Sequence, residues 1–206
     1  ISDDGRFAVF TSAAPDLVAG GGGNVYSGFV FDQSSGTNRH VGQTPDGTAF
    51  NRSVLTLQLA RGGRQVVFVS DEAFLTPGDT NTLNDVFVQD LETRALTLAS
   101  ARDQSEERLD GSTSEPRISA DGRWVAFLND ANLSTGTRPA RNLFLRDLEG
   151  RRTHWINDPT RTDGNVTVQP IVQFDLSADG STLAFLVTGP SGGVLVYRKE
   201  IGRAHV

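Results

Sequence analysis

The residues best suited to chemistry lie between Asp79 and Asp85, in the run DTNTLND. Asp79, Asn81 and Asp85 bring three hard oxygen donors close together in sequence, and the Leu83 carbonyl is available as a fourth. Calcium is held by such sets, in which carboxylate, amide and carbonyl oxygens converge from a compact, flexible loop. The run is therefore a candidate metal site, with calcium the one cofactor the sequence suggests. The competing reading is a solvated turn, because Asp and Asn side chains bond their own backbone two residues on. The positions that align with these residues hold Gly21, Gly23 and Ser27 earlier in the chain, and Gly136, Arg138 and Asn142 later, so the constellation occurs once.

No catalytic residue is expected. Asp3, Asp4, Asp121 and Asp179 resemble paired acids, but each falls at a recurring hairpin turn, where the residue type serves the turn. His40 and His154 fall near the fourth strand of their repeats, where a lone histidine reads as an exposed surface residue. The chain has no Gly-x-Ser-x-Gly elbow, no His-Glu-x-x-His zinc motif and no phosphate-binding loop; Gly20 to Gly23 lacks the Lys and Ser/Thr that such a loop needs. With no cysteine, thiolate nucleophiles, disulfides and Cys-ligated metals are excluded within this stretch.

What must position these residues is a repeat. The run ISADGRWVAFL from Ile118 has near-copies in ISDDGRFAVFT from Ile1, LARGGRQVVFV from Leu59 and LSADGSTLAFL from Leu176. Gly5, Gly63, Gly122 and Gly180 form one column with steps of 58, 59 and 58 residues, and Phe10, Phe68, Phe127 and Phe185 form a second with the same steps. A fixed period in two columns marks a repeat architecture. In the third repeat, strands are predicted at 115–119, 123–128, 142–147 and 152–157, with Asp121-Gly122 as a type I′ hairpin turn. Second strands (VVFV, WVAFL, LAFLV) and third strands (DVFVQ, NLFLR, VLVY) are almost continuously apolar, as in sheets covered on both faces. The expected fold is all-β: a β-propeller fragment of about four blades, each a four-stranded antiparallel meander, with a period of about 58 residues. The repeats divide at about 1–52, 53–114, 115–172 and 173–200, within one domain.

Composition narrows the function classes. The chain has 206 residues, 37% of them hydrophobic, which is enough for a sizeable core, and no apolar run approaches the roughly 20 residues that cross a bilayer. A formal charge of -6 with no basic cluster argues against a nucleic-acid partner.

The pattern of proline, Ser-x-Asp-Gly-Arg and an aliphatic-Ala-Phe strand at Pro116 to Phe127, with DTNTLNDVFVQD at Asp79 to Asp90, resembles the TolB-type propeller repeats, relatives of the WD-repeat propellers. Gly62-Gly63 in place of Asp-Gly, and Ser181 in place of Arg, are departures that leave the turn intact. The resemblance covers residues 1–198 and implies a bacterial periplasmic or secreted protein that binds a protein or small ligand without catalysis. Its alternative is the gating propeller of a larger prolyl-oligopeptidase-like serine peptidase, with the nucleophile on a domain absent from this chain. In a four-strand meander the two kinds of loop segregate to opposite rims. The long loops, at 13–27, 44–52, 73–84, 101–115, 129–141 and 158–169, share one rim, where a partner is expected. The last six residues, IGRAHV, resemble a translated sequencing adapter, and the chain opens inside a repeat; both point to a piece of a longer gene, with further blades outside it.

Overall fold

The computed structural model describes residues 1–18, 26–42, 53–73, 75–130, 141–157, 171–188 and 194–201. Among them every regular element is a strand, and the fourteen strands form four antiparallel sheets. The first holds β1 (Phe7–Ser12), β2 (Ser27–Asp32) and β3 (Thr37–Val41). The second holds β4 (Val54–Leu59), β5 (Gln65–Ser70), β6 (Asp85–Asp90) and β7 (Leu96–Leu98). The third holds β8 (Thr113–Ile118), β9 (Trp124–Asn129), β10 (Asn142–Asp147) and β11 (Arg152–Trp155). The fourth holds β12 (Ile171–Leu176), β13 (Thr182–Thr188) and β14 (Val194–Glu200). Strand order in space follows chain order in every sheet. Each is therefore a meander, or blade, and blades 1 to 4 are about four propeller blades as the sequence leads one to expect.

The core lies between blades. Val30 and Val41 of blade 1 join Val66, Phe68 and Phe87 of blade 2; Val67, Val86 and Val88 join Val125, Phe127 and Phe144 of blade 3; Leu128 and Leu143 join Phe174, Leu183 and Phe185 of blade 4. A middle strand buries both faces, one against each neighbour, which is why its sequence is apolar throughout. Within blades, the phenylalanine column pairs across strands: Phe10 stacks on Phe29, Phe68 on Phe87 and Phe127 on Phe144, at centroid distances of 5.5, 5.6 and 5.8 Å. Trp124 packs on the core between blades 3 and 4, and Trp155 on that between blades 2 and 3.

The Asp-Gly hairpin differs from the type I′ turn expected. Gly122 N donates to Ser119 O at 3.0 Å, and only Gly122 has positive φ, at 79°. The loop is thus a turn with ordinary dihedrals at Ala120 and Asp121, closed by a left-handed glycine. Side chains explain the choice. Ser119 Oγ donates to Asp121 Oδ1 at 2.5 Å and accepts from Trp124 N at 2.9 Å, while Arg123 N donates to Asp121 Oδ1 at 3.0 Å. The same bonds join Ser2, Asp4, Arg6 and Phe7, and again Ser177, Asp179, Ser181 and Thr182. In blade 2 Ala60 and Gly62 replace the serine and aspartate together, so the pair is kept or lost as a unit. Asp179 is held down to about 2 by the Ser177 hydroxyl, as suits a turn cap.

These turns also join the blades. Asp3 N donates to Arg61 O at 2.9 Å, Gly62 N to Ala120 O at 3.2 Å and Ala120 N to Ala178 O at 2.7 Å, a chain of bonds along the short-turn rim. The opening residue of each second strand lies against the turn glycine of the next blade. A Cβ on Gly63 would stand 2.8 Å from the Phe7 ring, one on Gly180 would stand 2.5 Å from the Trp124 ring, and one on Gly122 would overlap the Gln65 amide. The glycine column thus serves a seam as well as a turn.

A second repeated device links the arginine of the turn to the aspartate that ends the third strand. Arg6 reaches Asp32 at 2.9 Å, Arg64 reaches Asp90 at 2.7 Å and Arg123 reaches Asp147 at 2.7 Å. In blade 4 the two columns hold Ser181 and Glu200. Ile201, the first residue of the IGRAHV run, donates its N–H to Ser181 O at 2.7 Å and packs on the core between blades 3 and 4. Residues 202–206 lie outside the described residues.

His40 is not exposed. Its ring lies tilted against Phe29 with centroids 4.8 Å apart, and it borders a cavity of about 20 Å³ shared with Gln89, Leu91 and Arg94 of blade 2. The outer strand of blade 1 is covered here by its neighbour, which the isolated repeat does not reveal.

Candidate functional site

The expected metal residues sit in the loop between β5 and β6, on the long-loop rim. Asp85 opens β6 and is 0% exposed; Asp79, in the loop, is 1% exposed. The structure brings three of the four residues together. Asn81 N donates to Asp79 Oδ1 and Asn81 Nδ2 to Asp85 Oδ2, both at 3.4 Å. Leu83 N donates to Asn81 Oδ1, closing a local turn, and its side chain points to solvent. Ser100 Oγ, from the end of blade 2, donates to Asp85 Oδ1 at 2.7 Å and accepts from Val86 N at 3.1 Å; sequence spacing gave no sign of this partner.

The electrostatics are those of desolvated acids. Burial pushes the Asp79 carboxyl above its ordinary range, with Glu72 adding to the effect and Arg108 opposing it. Burial, opposed by the Ser100 hydroxyl and reinforced by the neighbouring Asp79 charge, raises Asp85 to about 6. Arg108 directs its own hydrogen bond to Leu109 O, at 2.8 Å. Two buried carboxylates without a hydrogen-bonded cation favour either a shared proton or a bound metal ion. Hard oxygens on a loop fit calcium. Among the described residues no group of three or more His, Cys, Asp and Glu converges, so a metal here needs the Asn81 amide, backbone carbonyls or water to complete its shell.

The described part of the rim also exposes four large apolar side chains among its polar residues. Tyr26, Leu55, Leu83 and Val172 are 43–62% exposed. Tyr26 precedes β2, Leu55 and Val172 lie at the starts of β4 and β12, and Leu83 precedes β6, so all four belong to the end of the sheets that carries the long loops. Tyr26 O accepts from Val54 N at 2.8 Å, which joins blades 1 and 2 there. The inner strands β4, β8 and β12 each shift register near this end, at Val54/Leu57, Ser114/Arg117 and Ile171/Gln173, turning residues such as Leu55 and Val172 out of the ladder. Adjacent large apolar residues at a strand start, Val54-Leu55 and Ile171-Val172, were the available signal for this patch. Of the long loops, 75–84 and 99–112 fall within the described residues, whereas 19–25, 43–52, 131–140 and 158–170 lie outside them. The 101–109 segment is a small hairpin, with Arg102 N donating to Glu107 O at 2.7 Å and Leu109 N to Ser100 O at 2.7 Å. It runs down the outer edge of blade 3, where Asp103 accepts from Thr153 N at 3.0 Å and Gln104 N donates to Arg151 O at 2.9 Å. That pairing covers a strand edge that would otherwise be open.

No protein-family model matches this chain, and no curated protein does. Solved structures do. The chain is similar to TolB from Acinetobacter baumannii at 17% identity and a TM-score of 0.56, over 96% of this chain and 39% of that one. It is similar to a prolyl endopeptidase at 16% identity and a TM-score of 0.52, over 86% of this chain and 25% of that one. It is similar to the tricorn protease at 14% identity and a TM-score of 0.54, over 89% of this chain and 14% of that one. The chain therefore spans well under half the length of these three proteins, and the likeness establishes a TolB-like β-propeller fold. No helix among the described residues is long and apolar enough to cross a membrane.

Proposed function

We propose that this TolB-like propeller chain is a non-catalytic binding or scaffolding part of a bacterial periplasmic or extracellular protein, and that its partner, a protein or small ligand, docks at the long-loop rim. One observation carries the reading: of the five exposed large apolar side chains among the described residues, Tyr26, Leu55, Leu83 and Val172 lie at that rim and only the first residue, Ile1, lies at the other, which is closed by bonded turns. Exposed apolar side chains that cluster rather than scatter mark interaction surfaces. The test is site-specific photo-crosslinking in the full-length parent protein, in its own cells. A benzophenone amino acid at Tyr26 or Leu83 is expected to give adducts, and the same probe at Asp121 or Glu149 on the other rim is not. Equal yields from both rims would overturn the reading.

The likeness to prolyl endopeptidases, in which inter-domain dynamics have a role in catalysis and specificity, favours a second reading. There the propeller gates the active site of a larger serine peptidase, and the same rim would face the catalytic domain. Hydrolysis of a prolyl p-nitroanilide by the full-length protein, abolished by a serine-directed phosphonate, separates the two. A calcium ion held by Asp79, Asn81, Asp85 and the Leu83 carbonyl belongs to either reading, supported by the burial of both carboxylates. It would tie the loop that carries Leu83 to blade 2.

A further inference from the structure

A cavity of about 390 Å³ opens on the outer face between blades 2 and 3. Leu75, Leu96, Leu98 and Leu148 give it apolar walls, and Arg146, on β10, lines it. Arg146 is 3% exposed and is the only buried Lys or Arg among the described residues. Three neutral oxygens meet it: Nη1 donates to Arg102 O at 2.9 Å and to Thr153 Oγ1 at 2.7 Å, and Nη2 donates to Ser105 O at 3.1 Å. A guanidinium has five N–H donors; here Nε is buried with no acceptor, and Nη2 keeps a second hydrogen.

The neighbouring carboxylates are all committed elsewhere. Asp147 is held by Arg123 at 2.7 Å, Asp103 by Arg152 at 3.0 Å and Glu106 by Arg151 at 3.0 Å. A buried charge without a counter-ion is costly, and stapling the 101–109 hairpin explains three donors but not the charge. Elsewhere in the chain Arg6 and Arg123 use Nε and Nη2 together to grip both oxygens of an aspartate. Arg146 has no such partner: its Nε is shut off from solvent, and Nη2 keeps a hydrogen without an acceptor beside an apolar cavity of a size that suits a small ligand.

We propose that this cavity binds a small monocarboxylate with an apolar body, its carboxylate taken by Arg146 and its apolar part by the leucine walls. The site borrows Leu75 and Glu106 from two of the long loops. Calorimetric titration of octanoate into the chain is the test, with octanamide as the uncharged match. Octanoate is expected to bind, with octanamide about tenfold weaker or more, since charge-assisted hydrogen bonds to a buried guanidinium are lost. Arg146→Gln is expected to equalise the two. Because that change also loosens the hairpin, a second variant fills the cavity from an exposed position: Thr97, on β7, lines it with its neighbours, and Thr97→Trp is expected to abolish octanoate binding while the melting temperature holds. No heat with octanoate, equal affinity for octanoate and octanamide, or undiminished binding to Thr97→Trp would each overturn the proposal.

Discussion

Replacing Asp85 by Asn removes a charge while keeping the shape of the side chain, and the structure gives the effect a sign at each pH. The Asp85 carboxyl keeps its proton to about 6 in the folded chain, against an ordinary value of 3.8. The folded state thus holds that proton more tightly than the unfolded state does, so this group's contribution is fully present below pH 3.8 and is lost as pH rises to about 6. Each tenfold step in proton affinity is about 1.4 kcal/mol, which makes the loss about 3 kcal/mol. Asp85→Asn should show no such loss. Its amide oxygen still accepts from Ser100, but its NH₂ group faces that of Asn81, a mismatch of about 1 kcal/mol. In chelator at pH 7 the variant should therefore be more stable than wild type by about 2 kcal/mol. Calcium should reverse the order. At a hundredfold excess over its dissociation constant, an ion that binds only the folded state adds about 2.7 kcal/mol, and only wild type should gain it. The assay is urea unfolding followed by tryptophan emission from pH 4 to 8, with EDTA or calcium, read as the difference between variant and wild type so that other titrations cancel. If calcium moves neither protein and Asp85→Asn is destabilised equally in both buffers, the carboxylate serves only its bond to Ser100 and the metal reading is wrong.

Three further outcomes follow from the seams and the core. Gly5→Ala should cost only the left-handed backbone penalty of about 1 kcal/mol, since nothing lies near its would-be Cβ, whereas Gly180→Ala should cost about 1–2 kcal/mol more and shift Trp124 emission; equal costs would dissolve the seam. Arg123→Ala strips two bonds from buried Asp147 and should destabilise the chain more than Arg64→Ala, which removes a single bond from a more exposed pair; chemical denaturation would rank them. His40, whose affinity for a proton is lowered by burial and whose Nε2 has no partner, should contribute stability that is present above pH 6.5 and lost as pH falls below it. His40→Phe should flatten that acid-side loss, and an unchanged pH profile would mean that the ring escapes to solvent on protonation.

The fold was legible because its signals are local and periodic. Val54–Leu59, Gln65–Ser70, Asp85–Asp90 and Asn142–Asp147 are strands with the bounds their patterning implies. The hairpin type was misjudged because Asp-Gly was read as two positive-φ residues; the serine two positions before the aspartate instead caps a turn that needs only glycine to be left-handed. What the sequence concealed lies between repeats. His40 is buried by blade 2, and the 101–109 hairpin covers the edge of blade 3. Neither follows from spacing inside one repeat. The proximity of Asp79, Asn81 and Asp85 was readable from their short separation, but their nearly complete burial, which turns a polar loop into an electrostatic problem, was not.

The glycine seam bears on how such a chain changes over evolutionary time. Every junction uses one column of opening residues, Phe7, Gln65 and Trp124, against one column of glycines. A blade gained or lost by unequal crossing-over therefore meets its new neighbour at the same bare glycine, which has already accepted a phenyl ring, an amide and an indole at this seam. Stability in such a chain is a sum of blade and nearest-neighbour contributions. Damage to one junction stays local, leaving loops two blades away free to diverge.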